Sequence, residues 1–123
     1  MVGKKLEVSK FLPLKPADFQ VLLVLSEGPL HAYGICKAVE EQLKGQVHLE
    51  IGSLYRMMGR LTTAGLIEEV EGPDDPQGSP AQRRRTYQIT RQGRLVARAE
   101  ARRLEEVLEV AREKDLLAEG GGA

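Results

Sequence analysis

The sequence lacks several features that define other classes of protein. It contains no tryptophan, and aromatic residues make up only 4% of its 123 residues, so a core has to be built from aliphatic side chains and methionine. With a single cysteine, Cys36, no intramolecular disulfide is possible. No apolar run reaches the roughly 18 residues that a membrane-spanning helix needs. The N-terminal segment has no long apolar stretch of the signal-peptide kind. We therefore expect a cytoplasmic protein.

Charge gives the chain no overall attraction for nucleic acid. Eighteen lysines and arginines balance eighteen aspartates and glutamates, whereas proteins that bind nucleic acids usually present a basic surface. Positive charge is local and lies mainly in one run, which consists of Arg83, Arg84 and Arg85. Net charge therefore argues against DNA binding unless local arginines carry it.

Hydrophobic periodicity predicts three helices in the first half of the chain. Pro16 fits the first position of a helix, and Asp18 suits the positive end of its dipole. Gly28, Gly45 and Gly65 are placed to end helices. Apolar residues recur at helical spacing in each segment. The predicted helices are 16–27, 31–44 and 52–64, with a short extended link at 46–51.

Two strands and a long helix are predicted to follow. The strands at 66–71 and 84–89 flank a segment rich in proline and glycine, which indicates a hairpin with an extended tip. Thr90 is a suitable N-cap for a helix over 91–117. Alanines and leucines in this helix are spaced 4-3-4-3, a heptad pattern that predicts a seam for a second copy of the chain. The seam consists of Ala97, Ala101, Leu104, Leu108 and Ala111.

Three helices, a hairpin and a long helix are the element order of a winged helix-turn-helix with a dimerisation arm. The expected fold class is mainly α with a small β-hairpin, a winged helix-turn-helix plus a long C-terminal dimerisation helix. A chain of 123 residues is too short for two full cores. We expect a partly flexible N-terminal arm at 1–13, a DNA-binding domain at 14–90, the dimerisation helix at 91–118 and a flexible tail at 119–123.

The predicted third helix has two contrasting faces. Its apolar residues fall on one face, at about 100° per residue; they are Leu54, Met58 and Leu61. The opposite face is expected to enter the DNA major groove; with its flanks it comprises Gly52, Ser53, Arg56, Gly59, Arg60 and Thr63. Glycine destabilises a helix interior by about 1 kcal/mol, but a missing side chain lets the backbone approach DNA, and either arginine can reach guanine edges or phosphates. The alternative is that Gly59 accommodates a crossing helix.

The arginine run at the base of the hairpin has two interpretations. Side chains alternate along a strand, so Arg84 points to one side and Arg83 and Arg85 point to the other. At least one of them can therefore contact phosphate or enter the minor groove. Alternatively, the run pairs with the glutamates of the first strand across the hairpin.

Short segments spread along the chain resemble the PadR family of transcriptional regulators. They are His31-Ala32-Tyr33-Gly34-Ile35, Gly52-Ser53-Leu54-Tyr55, Arg60-Leu61 with Gly65-Leu66-Ile67, and Arg85-Thr86-Tyr87-Gln88-Ile89-Thr90 with Gly93. The resemblance covers about residues 14–117. It implies a homodimeric winged helix that represses transcription from a palindromic operator, in the subfamily with a single C-terminal helix.

The resemblance also bears on single positions. It implies that Tyr33 faces the DNA backbone. The family often has proline after the Leu-Tyr pair, where this sequence has Arg56, a further potential DNA contact. Tyr55 either donates a hydrogen bond to a phosphate or packs its ring on the hairpin. Some relatives bind flat aromatic effectors between the arms, but this chain has no tryptophan to stack on such a compound, so an effector stays unidentified.

No cofactor or metal is expected, since His31, His48 and Cys36 show no metal-ligand spacing. His31 is interpreted as a local cap and Cys36 as a small buried hydrophobe, with a redox-sensing thiol as the alternative. The glycines form no phosphate-binding loop, so we expect no enzyme. The sequence predicts a sequence-specific DNA-binding transcriptional regulator whose partners are a double-stranded DNA operator and a second copy of itself. The alternative is a winged-helix module for protein contacts, and a steep salt dependence of DNA binding would separate the two.

Overall fold

The computed structural model describes residues 8–46, 48–71 and 85–118. Within these ranges, four main helices and three short strands form a mainly helical winged helix-turn-helix with a long C-terminal helix, which confirms the predicted fold class. The elements are α1 (Pro16–Leu25), β1 (Leu30–His31), α2 (Ala32–Gln42), α3 (Ile51–Thr63), β2 (Ile67–Glu71), β3 (Arg85–Ile89) and α4 (Arg91–Glu113).

Three helices are shorter than the sequence predicted. α1 and α2 each end two residues before the predicted bound, at Leu25 and Gln42, and α4 ends four residues before it, at Glu113. Positive φ angles at Lys44 (56°) and Asp115 (61°) turn the chain just past α2 and α4. Sequence periodicity does not reveal these turns, because neither residue is the glycine that usually marks a helix end.

The wing is a three-stranded antiparallel sheet with the strand order β1-β3-β2. β2 and β3 form the predicted hairpin, with Ile67 opposite Ile89. β1 is not among the predicted strands, because two residues are too few to show alternation. It pairs Leu30 with Tyr87 and thereby fixes the start of α2 against the wing.

An aliphatic core joins the helices to the sheet, as the low aromatic content predicts. Its largest fully buried side chains are Leu22, Leu25, Ile35, Leu54, Met58, Leu66, Ile67, Val21 and Val96. Phe11 and Leu12, which precede α1, pack against this core. In the ranges described, no helix is both long and apolar enough to cross a bilayer.

The corner between α3, β2 and α4 is closed by the Thr90 side chain and by a close backbone approach at Gly93. Gly65 has a φ of +80° and ends α3 as predicted. Thr90 is the predicted N-cap of α4: its Oγ1 accepts a hydrogen bond from the Gly93 N–H at 3.0 Å and donates to the Gly65 carbonyl at 2.6 Å. A Cβ at Gly93 would overlap the Leu66 carbonyl oxygen. Only glycine fits here, and the corner thus fixes where α4 begins.

One buried polar group leads to a stability prediction. In the described part of the chain, the hydroxyl of Thr86, at the second position of β3, is buried and has no hydrogen-bond partner. An unpaired buried hydroxyl costs about 1–3 kcal/mol, so Thr86→Val should raise the free energy of unfolding by about 1 kcal/mol or more. Urea unfolding should show a higher midpoint at an unchanged slope.

The matched control for this change is Thr90→Val. It removes a hydroxyl that makes two hydrogen bonds, so it should lower the free energy of unfolding by about 1 kcal/mol. A loss of stability in both variants would contradict the assignment, because it would mean that the Thr86 hydroxyl is paired in solution.

Candidate nucleic-acid interface

α3 packs on the core along one side only. Its buried residues recur at spacings of three to four positions, which form one stripe of a helix; they are Leu54, Met57, Met58 and Leu61. Three of these residues were predicted, and Met57 was not. The remaining side of α3 faces away from the core.

The outer face of α3 is open along its length. Gly52, Arg56, Gly59 and Thr63 are all exposed, at spacings that place them on one side of the helix. A Cβ at either glycine would meet no atom of the described chain within 4 Å. In the described part of the chain, neither glycine therefore accommodates a packed neighbour. The explanation that Gly59 makes room for a crossing helix is wrong for these residues. Two glycines weaken this exposed helix without any gain in packing against the described residues.

Arg56 is the basic side chain at the centre of the open face. Its Nη2 donates to the Oγ of Ser53, one turn earlier, over 3.2 Å. Because serine is neutral, this hydrogen bond orients the guanidinium without neutralising it. Arg56 is thus a charged donor presented on the same side as the two glycines.

Arg60, the second arginine of α3, is held by a contact that sequence analysis missed. Its Nη1 and Nη2 donate to the two carboxylate oxygens of Asp18 on α1, each at 3.1 Å. The hydrogen bond and charge of Asp18 raise the pKa of Arg60 above its usual value. Asp18 is buried, whereas about half of the Arg60 side chain stays accessible. Arg60 therefore differs from Arg56, because much of its hydrogen-bonding capacity is used within the chain.

A cleft of about 410 Å³ separates α3 from the wing; it is lined by Tyr55, Met58, Gly59, Thr62, Glu69, Arg85 and Tyr87. Arg85 Nε lies 3.8 Å from Glu69 Oε1, and Arg85 also hydrogen-bonds to the Tyr87 side chain. Burial is the main cause that raises the pKa of Tyr87, so this phenol stays protonated. The cross-strand pairing that we considered for the arginine run therefore exists at Arg85, which nevertheless remains exposed. Arg83 and Arg84 lie outside the described residues.

The two candidate tyrosines belong to different helices, Tyr55 to α3 and Tyr33 to α2. Tyr55 is half-buried, packs against the core and borders the wing cleft, as its packing interpretation predicts. Tyr33, in the first turn of α2, lines a second cleft of about 300 Å³ together with Lys37 and Ile51. Lys37 is exposed and was not predicted; its position four residues after Tyr33, on the same side of α2, is the signal that points to it.

In the described ranges, no group of three or more potential metal ligands converges. Cys36 is buried, its Sγ lies 3.7 Å from the Leu49 carbonyl oxygen, and burial raises the pKa of the thiol. A protonated thiol is the opposite of a redox-active one, and the buried-hydrophobe interpretation is confirmed. His48 Nδ1 lies 2.6 Å from Glu40 Oε2. His31 stands at the N-cap position of α2, but its side chain makes no cap hydrogen bond.

α4 changes character along its length. Gly93, Val96 and Glu100 are buried against the domain, and Ala97, the first residue of the predicted seam, packs against the same core. Beyond Glu100 the side chains become accessible. The rest of the predicted seam lies here, as Ala101, Leu104, Leu108 and Ala111. Two apolar residues outside the seam, Val107 and Val110, are about half exposed, as is Leu108. The outer part of α4 thus presents apolar surface that the described residues do not cover.

α2 and α3 form a helix-turn-helix, and the open face of α3 lies beside the hairpin. This arrangement defines a winged-helix protein of the DNA-binding class. The sequence matches the model of the transcriptional regulator PadR-like family over residues 21–99, more than half of the chain. The chain belongs to the PadR-like family of transcriptional regulators, as its motifs predicted. No curated protein sequence matches it significantly.

Solved structures of transcriptional regulators share the fold. A transcriptional regulator from Clostridium thermocellum is 24% identical, with a TM-score of 0.63 over 78% of this chain and 86% of that one. A PadR family transcription regulator from Clostridium difficile is 20% identical, with a TM-score of 0.62 over 78% of this chain and 94% of that one. Bacillus subtilis PadR, in complex with operator DNA, is 20% identical, with a TM-score of 0.57 over 71% of this chain and 47% of that one.

Proposed function

We propose that this chain represses transcription in the cytoplasm by binding a palindromic DNA operator as a homodimer. In the proposed complex α3 enters the major groove and the wing lies beside the adjacent phosphates. The observation that carries the proposal is the open face of α3, where two glycines face empty space and an arginine stands between them. The shared fold of Bacillus subtilis PadR, which was solved with operator DNA, supports it.

The proposed roles follow from how each side chain is held. Arg56 reads a base edge, because its charge is free of an acidic partner in the contact that orients it. Gly52 and Gly59 let the helix backbone approach the groove floor. Contacts to phosphates, which carry no sequence information, are assigned to side chains at the edges of this face: Tyr33, Ser53, Tyr55, Arg60, Thr63, Arg83, Arg84 and Arg85.

The proposed dimer is formed by the outer part of α4. Leu104, Leu108 and Ala111 of the seam lie on the same side of α4 as Val107, and together they form an apolar stripe beyond the domain. Apolar surface of this kind marks an interaction site. Two-fold pairing of the stripe would present two copies of α3 to half-sites about 34 Å apart.

The test of the base-reading role is the pair Arg56→Ala and Arg56→Lys, measured on operator fragments that the purified wild-type protein selects from genomic DNA. If Arg56 contacts guanine through two hydrogen bonds, its loss should cost about 1–3 kcal/mol of binding and relax one position of the operator. Lysine should keep the charge but lose the base preference.

The matched control for Arg56 is Arg98→Ala, which removes an exposed arginine of α4 and should leave both affinity and preference unchanged. An Arg56→Ala protein that binds more weakly but prefers the same operator would show that Arg56 contacts phosphate only. Equal binding by wild type and Arg56→Ala would remove Arg56 from the interface.

The second candidate function is a winged-helix module for protein contacts. Two observations favour it: the net charge is zero, and two of the candidate arginines are paired with acids, Arg60 with Asp18 and Arg85 with Glu69. The slope of log K against log salt distinguishes the two functions, because it is about −0.9 per phosphate contacted. A flat slope, with no operator selected, would favour the protein-contact module.

A further inference from the structure

Two buried carboxylates lie at the beginning of α1 and connect it to two different helices. Within the described ranges the buried polar or charged residues are Asp18, Thr86 and Glu100. Asp18 lies in the first turn of α1. Glu100 belongs to α4, but it contacts the backbone just before α1. The start of α1 therefore touches α3 on one side and α4 on the other.

The contacts of Glu100 determine how α4 leaves the domain. Its carboxylate accepts hydrogen bonds from Nε and Nη2 of Arg103, both at 2.8 Å, and from the backbone N–H of Leu14. The Arg103 hydrogen bond is the main cause that lowers the pKa of Glu100, so the group is ionised. Glu100 is the last buried residue of α4. Its three hydrogen bonds thus lie at the point where the proposed dimerisation arm separates from the domain.

The contacts of Asp18 hold α3 to the same segment. Both of its oxygens accept hydrogen bonds from Arg60, in the last turn of α3. A planar guanidinium that is bound through two parallel hydrogen bonds fixes orientation as well as distance. Only three residues separate Leu14 from Asp18, so α3 and α4 are each bonded to one short stretch of chain.

Stability alone does not explain ion pairs with a buried carboxylate in these positions. Replacing such a pair by well-packed apolar residues is often neutral or stabilising, because removing two charges from water is costly. What the Asp18–Arg60 pair supplies is direction, since its hydrogen bonds fail when α1 and α3 turn relative to one another. Glu100 and Arg103 lie on the same helix, so their pair holds the Glu100 carboxylate in place for the Leu14 N–H.

We propose that Asp18, Arg60, Glu100 and Arg103, together with the Leu14 N–H, form a junction that sets the angle between the recognition helix α3 and the arm α4. Because the arm pairs two domains, this angle fixes the distance and rotation between the two copies of α3. The junction therefore determines which half-site spacing the dimer accepts. This inference rests on the proposed function, and it assigns Asp18, Glu100 and Arg103 as positioning residues rather than DNA contacts. Arg60 positions α3 through Asp18, and the accessible half of its side chain stays available for the phosphate contact proposed above.

The preferred spacing between half-sites is a sensitive measure of how rigidly the junction holds α3 relative to α4. Adding one base pair between half-sites moves them apart by about 3.4 Å and rotates them by about 35°. With a rigid junction the two copies of α3 cannot follow the altered half-sites, so the DNA has to be deformed instead. With a loosened junction each domain can turn on its arm, so that α3 reaches the altered half-site without deformation of the DNA.

The experiment uses the full chain and a set of duplexes in which two selected half-sites are separated by the native spacing or by one or two base pairs more or less. Wild type should prefer its native spacing over a one-base-pair change by about tenfold or more. Glu100→Gln and Asp18→Asn should reduce this preference to about threefold or less, while the base preference within each half-site stays the same. Light scattering should show dimers for both variants.

The matched control is Glu109→Gln. Glu109 pairs with Arg112 on the same helix at the same i,i+3 spacing, at 3.4 Å, but it is exposed and lies beyond the domain. Its loss should leave the spacing preference unchanged. Should Glu100→Gln fail to fold, the double variant Glu100→Met with Arg103→Leu replaces the pair by apolar side chains and should fold with the same loss of preference.

The outcomes separate this inference from the proposed function. If wild type selects no operator with paired half-sites, the proposed function fails and the junction loses its role with it. If wild type selects such an operator and the folded junction variants keep its spacing preference, the proposed function stands and the junction is merely structural. A loss of preference in Glu109→Gln as well would also overturn the assignment.

Discussion

Gly59→Leu is expected to abolish operator binding and leave the protein at least as stable as wild type. Leucine is the better helix former by about 1 kcal/mol, and no atom of the described chain lies within 4 Å of a Cβ at Gly59. In the proposed complex the same position approaches the groove floor, where a leucine would hold the backbone away. Specific affinity should therefore fall by about 100-fold or more, toward nonspecific binding.

Two measurements check this expectation, namely thermal unfolding and titration of the selected operator. Gly59→Ala serves as a graded variant, with a smaller loss of affinity and a similar gain in helix stability. Arg98→Leu controls for a leucine newly exposed on a helix, and it should bind the operator normally. If Gly59→Leu binds DNA like wild type, the assignment of the docking face is wrong. If it unfolds at lower temperature, an intrachain neighbour of Gly59 has to exist.

The faces of α3 were predictable because they depend on local spacing. A period of 3.6 residues places Leu54, Met58 and Leu61 together, and it places the two glycines opposite them. The structure adds that no neighbour fills the space at Gly52 and Gly59. Sequence could not supply this fact, because an exposed glycine and a glycine under a crossing helix have the same periodicity.

The contacts of Arg60 could not be predicted, because its partner is 42 residues away in the chain. Asp18 already had a sufficient local explanation as an acidic residue in the first turn of a helix, and this explanation concealed its second role. Glu100 is a different case. It lies seven residues after Gly93 on the buried side of α4, so an acidic residue in that stripe was a visible signal of a buried carboxylate.

The heptad pattern of α4 located an apolar stripe but not its partner. Ala97 packs within its own domain, whereas Leu104, Leu108 and Ala111 continue along the helix past the last buried residue. Spacing alone does not distinguish a face that covers the chain's own core from one that meets another copy. Only the position at which the domain ends, at Glu100, divides the stripe into an intrachain part and an accessible part.

Leu108→Glu and Leu104→Glu are expected to convert the proposed dimer into monomers. Both residues lie on the stripe beyond the domain, and Leu108 is 45% exposed in the single chain. In a two-fold dimer each substitution places two carboxylates near the axis, where they lose water and repel each other. Dimer affinity should fall by about 100-fold or more, while the domain stays folded because Gly93–Glu100 still packs on it.

Light scattering should give the mass of a single 13.6 kDa chain for both variants and twice that mass for wild type. The matched control is Val110→Glu, since Val110 is equally exposed, at 47%, but lies outside the seam; this variant should remain a dimer. Operator affinity should fall in the two monomeric variants, because the second half-site no longer binds as a linked site. If Leu104→Glu and Leu108→Glu both remain dimers, another surface holds the chains together and the role assigned to α4 is wrong.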